Sequence, residues 1–423
     1  MTHYTTLASN IKRKLIKFSE TICQGLSRPD FKFVTQMLYG LLASGSCQLS
    51  EISRSLNEDI ALKKTIERLS RHLATFSGQD KLISNYIEKV KTNLAKTPIL
   101  LIDGSDITKP HSPHMEYISK VRDGSTGEIA NGYHTLGITA LSATEKMPIP
   151  IYHKIYSSVE PGFISEDTEV LTGLNFLSKH FHKKSVRAFD RGYDANIYFE
   201  RLIDADESFV TRIKKNRTLI YKGKKINSLE LAGRFKGKYL LKFRKKNGFE
   251  VDVKVTSIPV QLPCRADTQL HLVIVKGFGK TPLMLLTNIH VKDDRLPIVI
   301  SKVYLLRWRI EEYYRFKKQQ FNYEDFRVRG IQSIRNLDLL VTIATGHIAI
   351  MADKPQRITT YALMDISKRI FDFPKFSLYA LTDGLTTLFS RISMNFSNHL
   401  RKRRKSLQLT LDIWGGFDCV GIE

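Results

Sequence analysis

A chain of 423 residues exceeds what one ordinary core serves, so two to four domains are expected. Hydrophobic residues at 42% and aromatics at 10% supply enough apolar material for folding throughout, which excludes general disorder. The 66 Lys and Arg against 42 Asp and Glu leave a net charge of +24, an excess that repels itself unless a polyanion neutralises it. Nucleic acid is the foremost such partner, because binding it releases counterions. A basic ribosomal or membrane-surface protein is the plainer alternative. Cys23, Cys47, Cys264 and Cys419 are scattered with no C-x-x-C pair. That spacing suggests neither zinc nor a disulfide framework, and fits a reducing cytosol. MTHYTTLASNIKRKL, the N-terminus, has no apolar core of a secretory signal.

In chain order, the first ninety or so residues read as helices. FVTQMLYGLLA (33–43) has helical apolar spacing, broken by Ser44-Gly45-Ser46. LSEISRSL (49–56) follows with Ser50 as its expected cap, then the basic KKTIERLSRHL (63–73). Helix, small-residue turn, short helix and basic helix are the pattern of a helix-turn-helix DNA reader, with a plain helical bundle as the competing reading. PILLID (98–103) is a short apolar strand ending on Asp103. A Gly-rich turn region (123–132) leads to YHTLGITALSA and PIPIYHKIYSS, a strand pair. Helix 171–182, strand SVRAFD (185–190), helix ANIYFERLIDA and strand SFVTRIKK continue an α/β alternation with a mixed sheet. From about 216 to 290 only strand texture is visible. Helical pattern returns at Leu296; within it, 337–351 is interrupted by Asp338, Thr342, Thr345 and His347 and reads as a buried helix rather than a membrane span. The cationic run HLRKRRKSLQ (399–408) is either a basic helix or a solvated surface, and LTLDIWGGFDCVGIE carries no interpretable signal.

Two aspartates, Asp103 and Asp190, each close an apolar strand; on neighbouring strands they emerge together at a sheet edge. Such carboxylates suit a hard divalent cation, since Mg²⁺ takes oxygen ligands from one or two carboxylates plus phosphates. Each alone is more often a turn former or cap, as Asp106 and Asp194 are expected to be. In YLLRWRIEEYYRFKK (304–318), Tyr304, Arg307, Glu311 and Lys318 stand at offsets that fall on one helical face. A carboxylate flanked by a phenol and two cations is a metal ligand with phosphate-binding neighbours, or else an ordinary amphipathic helix with Glu–Lys and Glu–Arg pairs.

The pattern Y-x2-R-x3-E-x6-K resembles the signature of the DDE insertion-sequence transposases, specifically insertion sequence family four. LIDGSDITKP, FDRGYD, FVTRIKKNR and LLTN precede it in the family's order, so the resemblance covers about residues 98–329. It implies a ribonuclease-H-like α/β catalytic core (93–350) interrupted by a β-rich insertion (216–290). A helical N-terminal DNA-binding domain (1–92) and a basic helical C-terminal region (351–423) would flank it. Asp103, Asp190 and Glu311 would hold two Mg²⁺ ions, with Mn²⁺ as a substitute. Tyr304, Arg307 and Lys318 would hold DNA phosphates, and Trp308 would stack on an unpaired or flipped base, packing being the competing role for that ring. Partners implied are double-stranded DNA, as terminal inverted repeats and target, and a second protomer in a synaptic complex, with no membrane. Water would free a 3′-OH at the element's end, which then attacks a second phosphodiester. Two rivals remain: a metal-dependent nuclease without strand transfer, and a catalytically idle DNA-binding regulator. His111 and His114 lack a ligand cluster, GFGK (277–280) lacks a phosphate loop's length, and no G-x-S-x-G elbow is present.

Overall fold

The structure, a computed structural model, describes residues 2–124, 126–244, 250–290, 295–354, 357–368, 376–391 and 396. The basic run 399–408 and the closing segment lie outside the described residues.

Five helices open the chain: α1 (Thr2–Ile22), α2 (Arg28–Ser44), α3 (Leu49–Leu56), α4 (Leu62–Thr75) and α5 (Gln79–Lys91). Helix α2 starts where Ser27 accepts the Asp30 N–H and stops at Gly45, whose φ of 62° lets the chain leave in a left-handed turn. Residues 33–43 are buried without a break. A helix apolar on every side is a core helix, and α2 packs against α1, α3, α11 (Ile331–Ala352) and α13 (Leu378–Ser390). The N-terminal helices thus share their core with the C-terminal ones. The expected Ser50 cap of α3 is corrected: Gln48 is the N-cap residue and makes no side-chain bond, because Ser50 already lies inside the helix. Helix α11 is long and apolar enough to cross a membrane, yet 78% of its most apolar window is buried within this packing.

The strands β1 (Ile99–Thr108), β2 (Ser119–Arg122), β3 (Ile129–Leu141), β4 (Pro148–Tyr156), β5 (Val186–Phe189), β6 (Phe209–Arg212), β7 (Thr218–Tyr221), β8 (Lys224–Asn227), β9 (Tyr239–Arg244), β10 (Glu250–Leu262), β11 (Arg265–Lys276) and β12 (Leu283–Thr287) form one mixed sheet. Its order is β2-β3-β1-β5-β6-β12-β11-β10-β7-β8, with β4 on β3 and β9 on β10. The pairs β1–β5 and β5–β6 are parallel, linked through α6 (Glu166–His180) and α7 (Asn196–Asp204); the other pairs are antiparallel. The β-rich stretch therefore continues the core sheet edge to edge through β12 and β6. It is not purely β, since α8 (Ser228–Gly233) follows Asn227, whose side chain accepts the Leu229 N–H. Helix α6 begins earlier than its apolar pattern suggests, at Ser165, which caps the Thr168 N–H ahead of an acidic first turn.

Helices α9 (Leu296–Leu305), with Pro297 in its first turn, and α10 (Trp308–Gln320) lie on one face of this sheet, with α9 on β6, β10 and β11 and α10 on β1 and β4. α12 (Ile358–Ile366) packs on α13. The expectation of one continuous signature helix is corrected here. Arg307, Arg309 and Ile310 donate three residues back, to Tyr304, Leu306 and Arg307, and this tighter winding separates α9 from α10. Tyr304 belongs to α9, Arg307 to the junction, and Glu311 and Lys318 to α10.

Candidate active site

Strand periodicity and helix periodicity meet at this site. On β1, Leu101 packs with Ala188 of β5, Leu141 of β3, and Ile310 and Tyr313 of α10. Leu100 and Ile102 belong to the other core. Side chains alternate along a strand, so Asp103 shares the α10 face with Leu101, and Asp190 shares the parity of Ala188. From the junction into α10 the positions 307, 310, 311 and 314 recur at three- and four-residue steps and turn toward β1. Burying Leu101 and Ile310 contributes about 1.5–3 kcal/mol each, and that contact sets the height at which the polar residues meet.

Asp103 does not end its strand, as its apolar run suggested; β1 continues to Thr108. The parallel ladder with β5 stops at Ile102↔Phe189, but β3 supplies antiparallel partners from Leu100 to Thr108. Asp103 therefore sits at the first position where β1 has lost its β5 neighbour, which opens space on that side. Asp190 follows β5 immediately and caps a 3-10 turn, Arg191–Tyr193, by accepting the Arg191 N–H. Both aspartates thus occupy the C-terminal edge of parallel strands.

Arg307 bridges the site, with Nη1 3.0 Å from Asp103 Oδ2 and Nη2 2.6 Å from Glu311 Oε1. Burial opposes its charge, but the bond to Glu311 and the fields of Asp103 and Asp190 hold it above its ordinary value. Burial pushes the Asp103 carboxyl up to about 7; Arg307 pulls against this, and Asp190 and Glu311 add to it. Each carboxylate is felt by Asp103, so the three acids share one electrostatic site. Among the described residues, no group of three acidic, His or Cys side chains stands in a ready metal cage, because the guanidinium lies between two of them.

The other residues expected to face DNA are placed differently. Tyr304 is 7% exposed in an apolar cluster with Val210 and Ile300, and burial raises its phenol. Lys318 pairs with Glu324 at 3.0 Å, and only Trp308 is well exposed, at 46%. Several contributors were not singled out from sequence. The Tyr314 hydroxyl donates to the Asp103 carbonyl at 2.6 Å and crosses Gly137, the β3 partner of Asp103. A Cβ at Gly137 would stand 2.3 Å from that hydroxyl, so only glycine admits the ring. Tyr314 lies three residues past Glu311, a spacing that could have exposed it. Asp194 is 3% exposed; it accepts the Lys214 N–H at 2.6 Å and faces Arg217 at 3.4 Å, tying FDRGYD to TRIKKNR. Its ion pair reaches beyond the turn role expected of it. Asp106 meets His134 Nδ1 at 2.8 Å.

A mixed sheet with acids at the C-terminal edge of its parallel strands, covered by an acidic–basic helix, defines a ribonuclease-H-like core with flanking helical regions. The family model described as "Transposase DDE domain" matches residues 94–345, more than half of the chain, and the protein belongs to that family. Among solved structures, one similar to this chain is a piggyBac transposase synaptic complex with hairpin DNA. Identity is 12% over 95% of this chain and 80% of that one, with a TM-score of 0.47. Another is the NurA nuclease from Sulfolobus solfataricus, at 12% identity over 57% and 82%, with a TM-score of 0.25. No curated protein matches the sequence.

Proposed function

We propose that this protein is a cut-and-paste DNA transposase of an insertion sequence, and that Asp103, Asp190 and Glu311 are its catalytic carboxylates. The observation that carries the reading is the bridging of Asp103 and Glu311 by Arg307 at the sheet edge where Asp190 ends the neighbouring parallel strand. Their donor set is all oxygen, which fits Mg²⁺ or Mn²⁺. Mg²⁺ keeps several waters and takes one or two carboxylates plus substrate phosphate, so a closed protein cage is not required. Asp103 and Asp190 would hold one ion between them, and Glu311 would help to hold a second. Two such ions, when bound, stabilise the attacking and leaving oxygens of an in-line phosphodiester displacement.

The protein's own groups have separable tasks. Arg307 bridges Asp103 and Glu311, offsetting part of their charge, and is the cation nearest to where a scissile phosphate would lie. Exchange of its carboxylate partners for phosphate oxygens keeps both of its donors satisfied. Tyr304, buried on α9, and Lys318, paired with Glu324, would have to leave these contacts to meet phosphate, whereas the exposed Trp308 offers a ring for a displaced base. The N-terminal helices α3 and α4 are the proposed end-reading element, in a paired complex of two protomers at the inverted repeats. The working site is the bacterial cytoplasm, at the nucleoid.

The test is excision and joining on a plasmid carrying the element's ends. The parent chain should cut and join with Mg²⁺ and do neither in EDTA. Glu311→Ala should lose at least about a hundredfold in rate while still binding the ends. Cutting without joining would identify a nuclease, and tight binding without cutting by the parent chain would identify a regulator.

A further inference from the structure

We propose that the β7–β8 hairpin is an arm that grips the phosphate backbone of duplex DNA beside the carboxylate edge, through Lys222, Lys224 and Lys225, with Lys214 and Lys215 at its base. The inference rests on the reading of the chain as a DNA transposase.

Charge is the first observation. Between Glu207 and Glu230 the sequence has no acidic residue, yet these five lysines fall there and all are exposed. The ion pairs of the region join Arg217 to Asp194 and Arg234 to Glu230, and leave the lysines out. The Lys222 ammonium lies 5.6 Å from the Tyr221 ring centre.

Placement is the second. Residues 213–217 leave β6 at the same edge that carries Asp190 at the end of β5, because β5 and β6 run parallel. Asp194 clamps the Lys214 N–H, and Ser228 Oγ, where the hairpin returns, donates to the carbonyls of Lys214 and Lys215 at 2.7 and 2.8 Å. Both ends of the arm are therefore fixed to the catalytic edge. Leu219 and Ile226 anchor it in the core, and Lys222 and Gly223, with φ of 49° and 76°, form its tight exposed turn.

Shape is the third. A two-stranded ribbon fits a DNA groove. Lys224 and Lys225 are adjacent on one strand and point to opposite faces, Lys225 away from the face on which Leu219 and Ile226 are buried, while Lys222 stands at the exposed turn. The competing explanation is that β8 is the last strand in the sheet order and its lysines merely keep it from pairing with another chain.

Fluorescence anisotropy separates these, using a labelled random-sequence duplex of about 30 base pairs in EDTA, titrated at several salt concentrations. Replacing Lys222, Lys224 and Lys225 together with Gln should flatten the slope of log K against log salt by about 2–3, since each lost phosphate contact removes about 0.9. The corresponding Arg triple should keep the parent slope. Gln at Lys179, Lys183 and Lys184, at the opposite end of β5, should leave it unchanged. Thermal melts confirm that each variant folds. An unchanged slope in the hairpin Gln triple overturns the proposal, and self-association of that variant would then assign the lysines to edge protection. Failure of the parent chain to bind any duplex would instead remove the transposase reading on which the arm depends.

Discussion

At Gly137 a single hydrogen atom decides whether the site can close. The Tyr314 ring lies across this residue to reach the Asp103 carbonyl, so an alanine methyl would collide with the phenol. Gly137→Ala is expected to destabilise the fold by about 1–3 kcal/mol, as overpacked cores do, and to lower cleavage as well. Tyr314→Phe in the same chain should recover part of the stability by removing the closest atom. Urea melts of the two singles and the double measure the coupling, and strict additivity would show that the two positions do not meet. Asp106 and His134 offer a second test. Their hydrogen bond, with Asp106's charge, raises the imidazole against the opposing effect of burial. A His whose folded value lies above its unfolded one contributes stability that is complete below about pH 6.5 and is lost as pH rises through the folded value. Asp106→Asn should therefore cost up to about 1 kcal/mol at pH 6 and much less at pH 8, by denaturant melts at both. An equal loss at both pH values would reject the linkage.

Glu311 depends on how its helix is seated. Under α10, Lys317 Nζ lies 2.5 Å from Asp338 of α11, and His153 of β4 binds the other Asp338 oxygen at 2.8 Å. Tyr323 also hydrogen-bonds Asp338, and the Lys317 ammonium stands 4.1 Å from the centre of that phenol ring. Burial favours the neutral acid, yet His153 and Lys317 hold Asp338 well below the usual carboxylate range. A depressed carboxylate contributes stability that is present above its unfolded value, near 4, and fades as pH falls through the folded one. Asp338→Asn strands a buried ammonium and should cost about 3–5 kcal/mol near neutral pH, whereas Lys317→Met with Asp338→Leu should cost far less. Chemical denaturation of both variants checks this, and equal losses would mean that packing, not the unpaired charge, dominates. The α9–α10 junction matters at the same scale. Three-residue hydrogen bonding around Arg307 turns the guanidinium toward both carboxylates while leaving Tyr304 packed on β6.

Across the whole molecule, the sheet and the helical bundle divide the work. The sheet gathers acids from β1 and β5 and carries the lysine hairpin at the same edge. The bundle joins α2 to α11 and α13, so the N-terminal helices proposed to read DNA share a core with a helix that meets α10 through Asp338 and Lys317. This continuity makes α1 and α2 partners of α11 and α13 in one core although they are remote in sequence.

Much of this was legible from residue order. Short apolar runs closing on Asp103 and Asp190, the Y-x2-R-x3-E-x6-K spacing and the excess of cations are local or compositional signals, and they pointed to the family to which the chain belongs. Periodicity located most helices and strands because it reflects which side of an element meets the core. Other features were decided only by tertiary packing. Strand β1 runs past Asp103 because β3, some thirty residues later, supplies its ladder. Lys318 turned out to pair with Glu324, and Arg307 with both acids; sequence spacing defines a face but does not say which groups lie opposite it. Gly137 and Lys317 were invisible as contributors for the same reason, and Asp338 registered only as a polar break in an apolar helix. Each acts through a partner distant in the chain, and only folding makes the two neighbours.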